Sequence, residues 1–399
     1  MRIFGDSLTP AVDSAVATGP TWDIDVRSYE TRERVTHFVS VFSGRAKERV
    51  TLWLDRGSRY EPMIRAKLRA GGIPEDMYYL ALIESGFDPH AYSRAAAVGM
   101  WQFMASTARG LGLRVDSWVD ERRDPVRSTG AAVRFIRDLR TQFGSLYLAA
   151  AAYNGGPGRV ARGMARYADD VSLAESEDPF FVLAGKDYLK SETRDYVPQL
   201  IAAALIAKEP AKYGIALHAQ QPLAYDSVLV AASTPLAAVA RASSTDTRTL
   251  LELNPHFLRG MTPPREASLV RIPLGAGASF DSAFSSLSKS QRVATHTVET
   301  KKGDSPERLA RSAGISTAAV KAFNPKARTL KSGRYAVGQS LLVPEPDVVA
   351  AMRFVPDPSI ERYPKKSKRA ATSRKSKAKS TTKRKSPTAK KSSGGRKKR

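Results

Sequence analysis

Residues Pro74–Ser93 read PEDMYYLALIESGFDPHAYS. Pro74 followed by Glu75 and Asp76 marks a helix start, since proline suits a first turn and acids there meet the positive end of the helix dipole. Gly86 marks the stop. Between them Met77, Leu80, Ala81 and Glu84 fall on one face, and the stretch from Met77 to Ile83 is apolar nearly all round, as in a helix buried on every side. The Glu84 carboxyl is therefore expected at the end of an apolar stripe, where burial disfavours the ionised form and raises the pKa. A carboxylic acid that stays protonated near neutral pH can deliver a proton to a basic leaving oxygen.

Helical signals continue on both sides of this segment. Val35, Phe38, Val39 and Phe42, then Val50, Trp53 and Leu54, give a helical lead-in over residues 1–60. Downstream, Asp124-Pro125 is a cap followed by a first-turn proline. Ala132, Phe135, Ile136, Leu139 and Phe143 trace one face until Gly144. Leu146 to Ala152 forms a short alanine-rich helix that Asn154-Gly155-Gly156 is expected to end. With strand signals nearly absent, residues 61–215 read as an all-α domain.

The style changes after Gln221-Pro222. TPLAAVARASSTDTRTLLELNP, ending at Pro255, is echoed by SPERLARSAGISTAAVKAFNP, ending at Pro325. Each copy runs on to a short apolar piece and a proline, which gives strand, helix, helix, strand in about 50 residues. Two small α+β modules are thus expected at 222–275 and 295–345, joined by a Ser-, Gly- and Ala-rich linker at 276–294. Residues 346–399 form a basic tail expected to be disordered, because it holds almost nothing to bury. The fold class is therefore multidomain: an all-α domain, two α+β modules and the tail.

Composition removes several chemistries. The 399 residues carry a formal charge of +25, but 17 of the 64 basic residues and no acidic one lie in Lys365–Arg399, so the remainder is only mildly basic. The absence of cysteine excludes disulfides, thiol nucleophiles, thiolate metal sites and a lipidated N-terminal cysteine. His37, His90, His218, His256 and His296 lack metal-ligand spacing, so neither metal nor cofactor is expected. No stretch is long and apolar enough to span a bilayer. Asp6, Pro10 and Asp13 interrupt the first residues, so no intact secretory signal is legible there.

Three strings in order, ESGFDPHAYS from Glu84, GMWQ from Gly99 and AYNGG from Ala152, resemble the lytic transglycosylases that cleave peptidoglycan. SETRDYVPQL from Ser191 is similar to their membrane-bound lytic murein transglycosylase D branch. The second repeat, with His296-Thr297-Val298, Gly303-Asp304-Ser305 and Gly338-Gln339, resembles the LysM module, and the first is a degenerate copy without the Gly-Asp turn.

The resemblance implies a lysozyme-like catalytic domain and peptidoglycan glycan strands as partner. It gives Glu84 the roles of acid and then base in forming 1,6-anhydro ends from the MurNAc–GlcNAc bond. Ser93 would contact an acetamido group, Gln102 would hold sugar near the acid, and the Tyr153 hydroxyl would sit at the cleavage point. Tyr196 would close one side of the groove. Asn154 would either bond substrate or cap its helix. Met100 and Trp101 flank Gln102 as candidates to line the groove, while Trp101 considered singly reads as core packing. Asp88 reads as a turn residue, which leaves one acid where ordinary glycosidases use two.

A cell-envelope location, periplasmic or at the outer membrane, follows from that substrate. A goose-type lysozyme using water and a non-catalytic wall-binding protein are the alternatives. The tail suits anionic envelope polymers; nucleic acid is disfavoured as a partner because the tail has no interleaved aromatics and no recognition fold.

Overall fold

The computed structural model describes residues 21–352. The first helices are α1 (Glu33–Ser43), α2 (Lys47–Ser58) and α3 (Glu61–Ala70). A 3₁₀ turn at Glu75–Tyr78 then feeds α4 (Tyr79–Ser85), the short helix that carries Glu84. There follow α5 (Ala105–Gly110), α6 (Pro125–Phe143), α7 (Leu146–Gly155), α8 (Pro157–Arg166), α9 (Ala168–Leu173), α10 (Pro179–Gly185) and α11 (Ser191–Lys208). Tyr79, Leu80, Ala81 and Leu82 are all buried, so α4 runs through the middle of the helical core.

Local chemistry accounts for the ends of the site-bearing helices. The Asp124 carboxylate accepts from the Val126 and Arg127 amides at the start of α6, and Gly144 closes that helix in the left-handed region. Gly86 closes α4 at φ 62°, with a Cβ there falling 2.1 Å from the Trp53 ring. Asp76 does more than meet a helix dipole. It is fully buried, holds Lys208 of α11 at 2.5 Å and accepts from the Asp23 amide at 2.9 Å. The lead-in belongs to the same core: Val26, Val35 and Val50 are buried with the residues of α4, α7 and α11.

The two modules have the expected element order. The first is β1 (Asp226–Val230), α12 (Leu236–Ala242), α13 (Thr247–Leu253) and β2 (Ser268–Ile272), with β1 and β2 antiparallel. The stretch expected as a linker, 276–294, instead forms α14 (Gly277–Ser286) and α15 (Lys289–Arg292). Phe280 and Phe284, one turn apart, stack and give α14 an apolar face, and Phe280 is buried in the first module's core. Serine and glycine content concealed that face. The second module is β3 (Thr295–Glu299), α16 (Pro306–Ser312), α17 (Thr317–Phe323) and β4 (Ser340–Pro344), again antiparallel. A last helix, α18 (Pro346–Ala350), buries Val348 where the tail was expected to begin. The Lys- and Arg-rich residues beyond Met352 lie outside the described residues.

The modules share one internal lock. In the first, the Asn254 amide donates to the Arg271 carbonyl at 2.7 Å while its oxygen accepts the Arg271 amide at 2.9 Å. In the second, Asn324 makes the same pair of bonds to Leu342 at 2.7 and 2.9 Å. The repeated Asn-Pro thus pins helix to sheet in both copies.

Candidate active site

Glu84 lies in the last turn of α4, half-buried. Its Oε1 accepts a 2.6 Å hydrogen bond from the Tyr196 hydroxyl, on the first half of α11. Desolvation raises the carboxyl to about 7; the Tyr196 bond works against that rise, and the charge of Glu192 one turn earlier on α11 adds to it. Near neutral pH the group is therefore divided between acid and carboxylate. Glu192 is exposed, so it contributes charge and not enclosure.

Tyr153, in the last turns of α7, packs beside this centre and donates from its hydroxyl to the Trp101 carbonyl at 2.7 Å. Burial, together with the Glu84 charge, holds the Tyr153 phenol well above its usual pKa, and burial likewise raises Tyr196. Both remain proton donors over the range in which Glu84 titrates.

The loop from Ala91 to Met104 joins this centre through two carbonyls, that of Met100 accepting from Ser85 and that of Trp101 from Tyr153. Ser93 anchors it, donating its amide to the Ala97 carbonyl at 2.9 Å, accepting the Ala96 amide on its carbonyl at 3.0 Å and accepting the Ala97 amide on its Oγ at 3.0 Å. Gln102 sits in the left-handed region at φ 49° and donates from its side-chain amide to the Gly99 carbonyl at 2.8 Å. A non-glycine residue held there is strained, and such strain is kept where surroundings over-determine it. Gly99 is required by crowding: at φ 83° its Cβ would stand 1.9 Å from the Arg122 carbonyl oxygen.

Met100 departs from its expected role, and Trp101 takes the core role. Met100 has no exposed surface, and its carbonyl accepts the Ser85 hydroxyl at 2.8 Å, so it packs in the core and does not line a groove. Trp101 is equally buried and donates from its indole to Thr129 Oγ at 3.0 Å, which is the core alternative. Alternation within a tight loop is not helical or extended, and its inward residues are not readable from spacing. Asn154 does not end its helix; α7 continues to Gly155 and Gly156 takes the positive φ. The Asn154 oxygen accepts the Thr193 hydroxyl at 2.9 Å, tying α7 to the start of α11. Asp88 accepts the His90 amide at 2.8 Å, as a turn residue does.

The sequence gives no sign of the buried Arg122. Its guanidinium pairs with Asp120 at 2.9 Å and donates to the Ala96 and Phe103 carbonyls at 3.2 and 3.0 Å, which clamps both ends of the Gln102 loop. Glu192 was also unmarked, though the acid in a first turn beside Thr193 was a signal of helix start. Among the described residues no group of three or more acidic or histidine side chains is arranged to hold a metal. No helix among them is long and apolar enough to cross a membrane.

Residues 61–171 match the Transglycosylase SLT domain, and residues 224–289 match the LysM-like domain of lytic transglycosylase MltD. The membrane-bound lytic murein transglycosylase D of Escherichia coli is 28% identical over 302 residues, covering 72% of this chain. The match takes in 64% of that protein, so the chain spans just under two thirds of it. The peptidoglycan transglycosylase gp16 of Escherichia phage T7 is 38% identical over 106 residues, 26% of this chain and 8% of that protein.

Proposed function

From a chain that carries a transglycosylase SLT domain followed by an MltD-type LysM-like domain, we infer an enzyme that cleaves the glycan strands of peptidoglycan in the cell envelope. The observation that carries the reading is the Glu84 carboxyl raised to about 7 and bonded to Tyr196. The bond broken is the β-1,4 link between N-acetylmuramic acid and N-acetylglucosamine. Protonated Glu84 gives its proton to the departing oxygen, and the substrate's acetamido oxygen closes on C1. The resulting carboxylate then takes the proton of the C6 hydroxyl as that oxygen attacks C1 and expels the acetamido group. The product is a 1,6-anhydro end, formed without water.

A pKa near the working pH lets one group serve as acid and then as base. Tyr196 donates to either form of the carboxyl and stabilises the charged one. Asp88 is engaged in its turn and Glu192 is exposed, which favours a single-acid route over a two-carboxylate one. Ser93 and Gln102 bear on the sugar from the loop wall, and the second module supplies a further hold on the glycan. The basic tail adds attraction for anionic envelope polymers.

Mass spectrometry of the products tests the reading. Ends one water lighter than a reducing muropeptide are expected; full-mass reducing ends would replace it with hydrolysis.

A further inference from the structure

The first module meets the helical domain through buried charge. Arg271, on β2, sends one guanidinium nitrogen to both oxygens of Asp124, at 2.9 and 2.8 Å. The two side chains are 11% and 1% exposed. Another nitrogen of Arg271 donates to the Leu253 carbonyl at 3.2 Å, and the Tyr225 ring lies under its guanidinium at 4.9 Å. His256 stands 3.3 Å from Asp124, but burial pushes it down to about 4, so it is neutral and Arg271 is the cation that answers the carboxylate. The backbones join as well: Asp120 donates to the His256 carbonyl at 3.0 Å, Leu258 donates to the Trp118 carbonyl at 2.9 Å, and Val119 pairs with Phe257.

The shared asparagine lock identifies what is special here. By those equivalent hydrogen bonds, Arg271 of the first module corresponds to Leu342 of the second. The module fold therefore does not require an arginine at this position, and its charge is directed at the neighbouring domain.

Asp124 is also linked to the site. Asp124 caps α6, whose Thr129 receives the Trp101 indole, and the Trp101 carbonyl receives Tyr153. Four residues from Asp124, Asp120 orients the Arg122 that clamps the Gln102 loop.

We propose that the first LysM-like module is a buttress of the catalytic domain, and that Arg271 is a positioning residue that holds the Trp101–Gln102 wall through Asp124 and α6. This rests on the functional reading above and adds a role for the module that lacks the Gly-Asp turn of the second copy. One Arg271 nitrogen spans both Asp124 oxygens while another holds the Leu253 carbonyl, so the guanidinium ties the carboxylate to the module's backbone in a way that a single ammonium does not reproduce. Without Arg271 the cap carboxylate is left buried and unpaired, and the start of α6 must shift to hydrate it.

The test uses the full chain with Arg271→Met, Arg271→Lys and the double variant Asp124→Asn with Arg271→Met. The double variant keeps a good helix cap and strands no charge, so it guards against simple failure to fold. In variants that remain folded, kcat on soluble glycan strands should fall about tenfold to a hundredfold, the cost of a small misplacement at a reacting centre. Sedimentation with purified peptidoglycan should stay unchanged, because the second module is intact, and Arg271→Lys should recover part of the loss. Amide hydrogen exchange over residues 96–103 should accelerate in Arg271→Met. Normal kcat in a folded variant, or lost sedimentation with kcat intact, would overturn the proposal. Unchanged exchange at 96–103 would overturn it even if the wild-type chain proved inactive, an outcome that would itself refute only the functional reading.

Discussion

Replacing Glu84 by glutamine should do two opposite things. Turnover should fall by at least about 10⁴, the upper range for loss of a general acid or base, because the same group serves both steps. Stability should rise, and the rise should depend on pH. The folded carboxyl is raised from 4.5 to about 7, so the folded chain binds more protons than the unfolded one between those values. Wild-type stability from this group is therefore fully present below about pH 4.5 and is lost as pH climbs through 7.

The full cost above pH 7 is about 3 kcal/mol, taking 1.36 kcal/mol for each unit. Most of it falls between pH 5 and pH 8. Glutamine has no charge to desolvate and its oxygen still accepts the Tyr196 hydroxyl, so the variant escapes the cost. Urea unfolding of wild type and Glu84→Gln at pH 5 and pH 8 should give a difference in stability larger at pH 8 by about 2–3 kcal/mol. A difference independent of pH would refute the claim that burial raises this carboxyl.

Tyr196→Phe removes the donor that opposes the rise of the Glu84 pKa, so the alkaline limb of the pH–rate profile should move upward and the rate at pH 7 should fall about tenfold; an unmoved limb would show that the bond is incidental. Gly99→Ala places a Cβ against the Arg122 carbonyl at positive φ and should lower stability by about 2–4 kcal/mol, measured by urea unfolding. Residues 295–345 expressed alone should sediment with purified peptidoglycan, whereas residues 222–294 alone, which keep α14 and its buried Phe280, should not. Deleting Lys365–Arg399 should leave turnover of short soluble glycans unchanged and make retention on whole envelopes weaker in a salt-dependent way, because exposed charge is screened beyond about 8 Å at physiological ionic strength.

Helices and caps were legible wherever one local signal sufficed. Asp124-Pro125 and Gly144 bracket α6 as read, and the apolar run before Glu84 does bury α4. Patterning at 276–294 failed because small polar residues hide an apolar stripe carried by only a few positions, Phe280 and Phe284 above all. For the site, the apolar pattern pointed to Glu84 and the family resemblance implied Tyr153 and Tyr196 beside it, but the packing inside the Gln102 loop was beyond both. Met100 stands two residues before Gln102 yet is fully buried where Gln102 is half-buried, a difference set by how the loop folds, with Gln102 in the left-handed region, and not by any periodic pattern.

Sequence alone determines what depends on neighbours within a few residues: helix starts and stops, the buried stripe ending in a carboxyl, the repeated Asn-Pro lock and the absence of thiol chemistry. Only the tertiary structure decides what depends on groups brought together across the chain. Tyr196 is 112 residues from Glu84 and sets its hydrogen bond. Arg271 is 147 residues from Asp124 and answers its buried charge. A carboxylate's pKa and a cap's stability are fixed by the solvent it loses and the donors that replace that solvent. Those donors are chosen by packing, which no local pattern records.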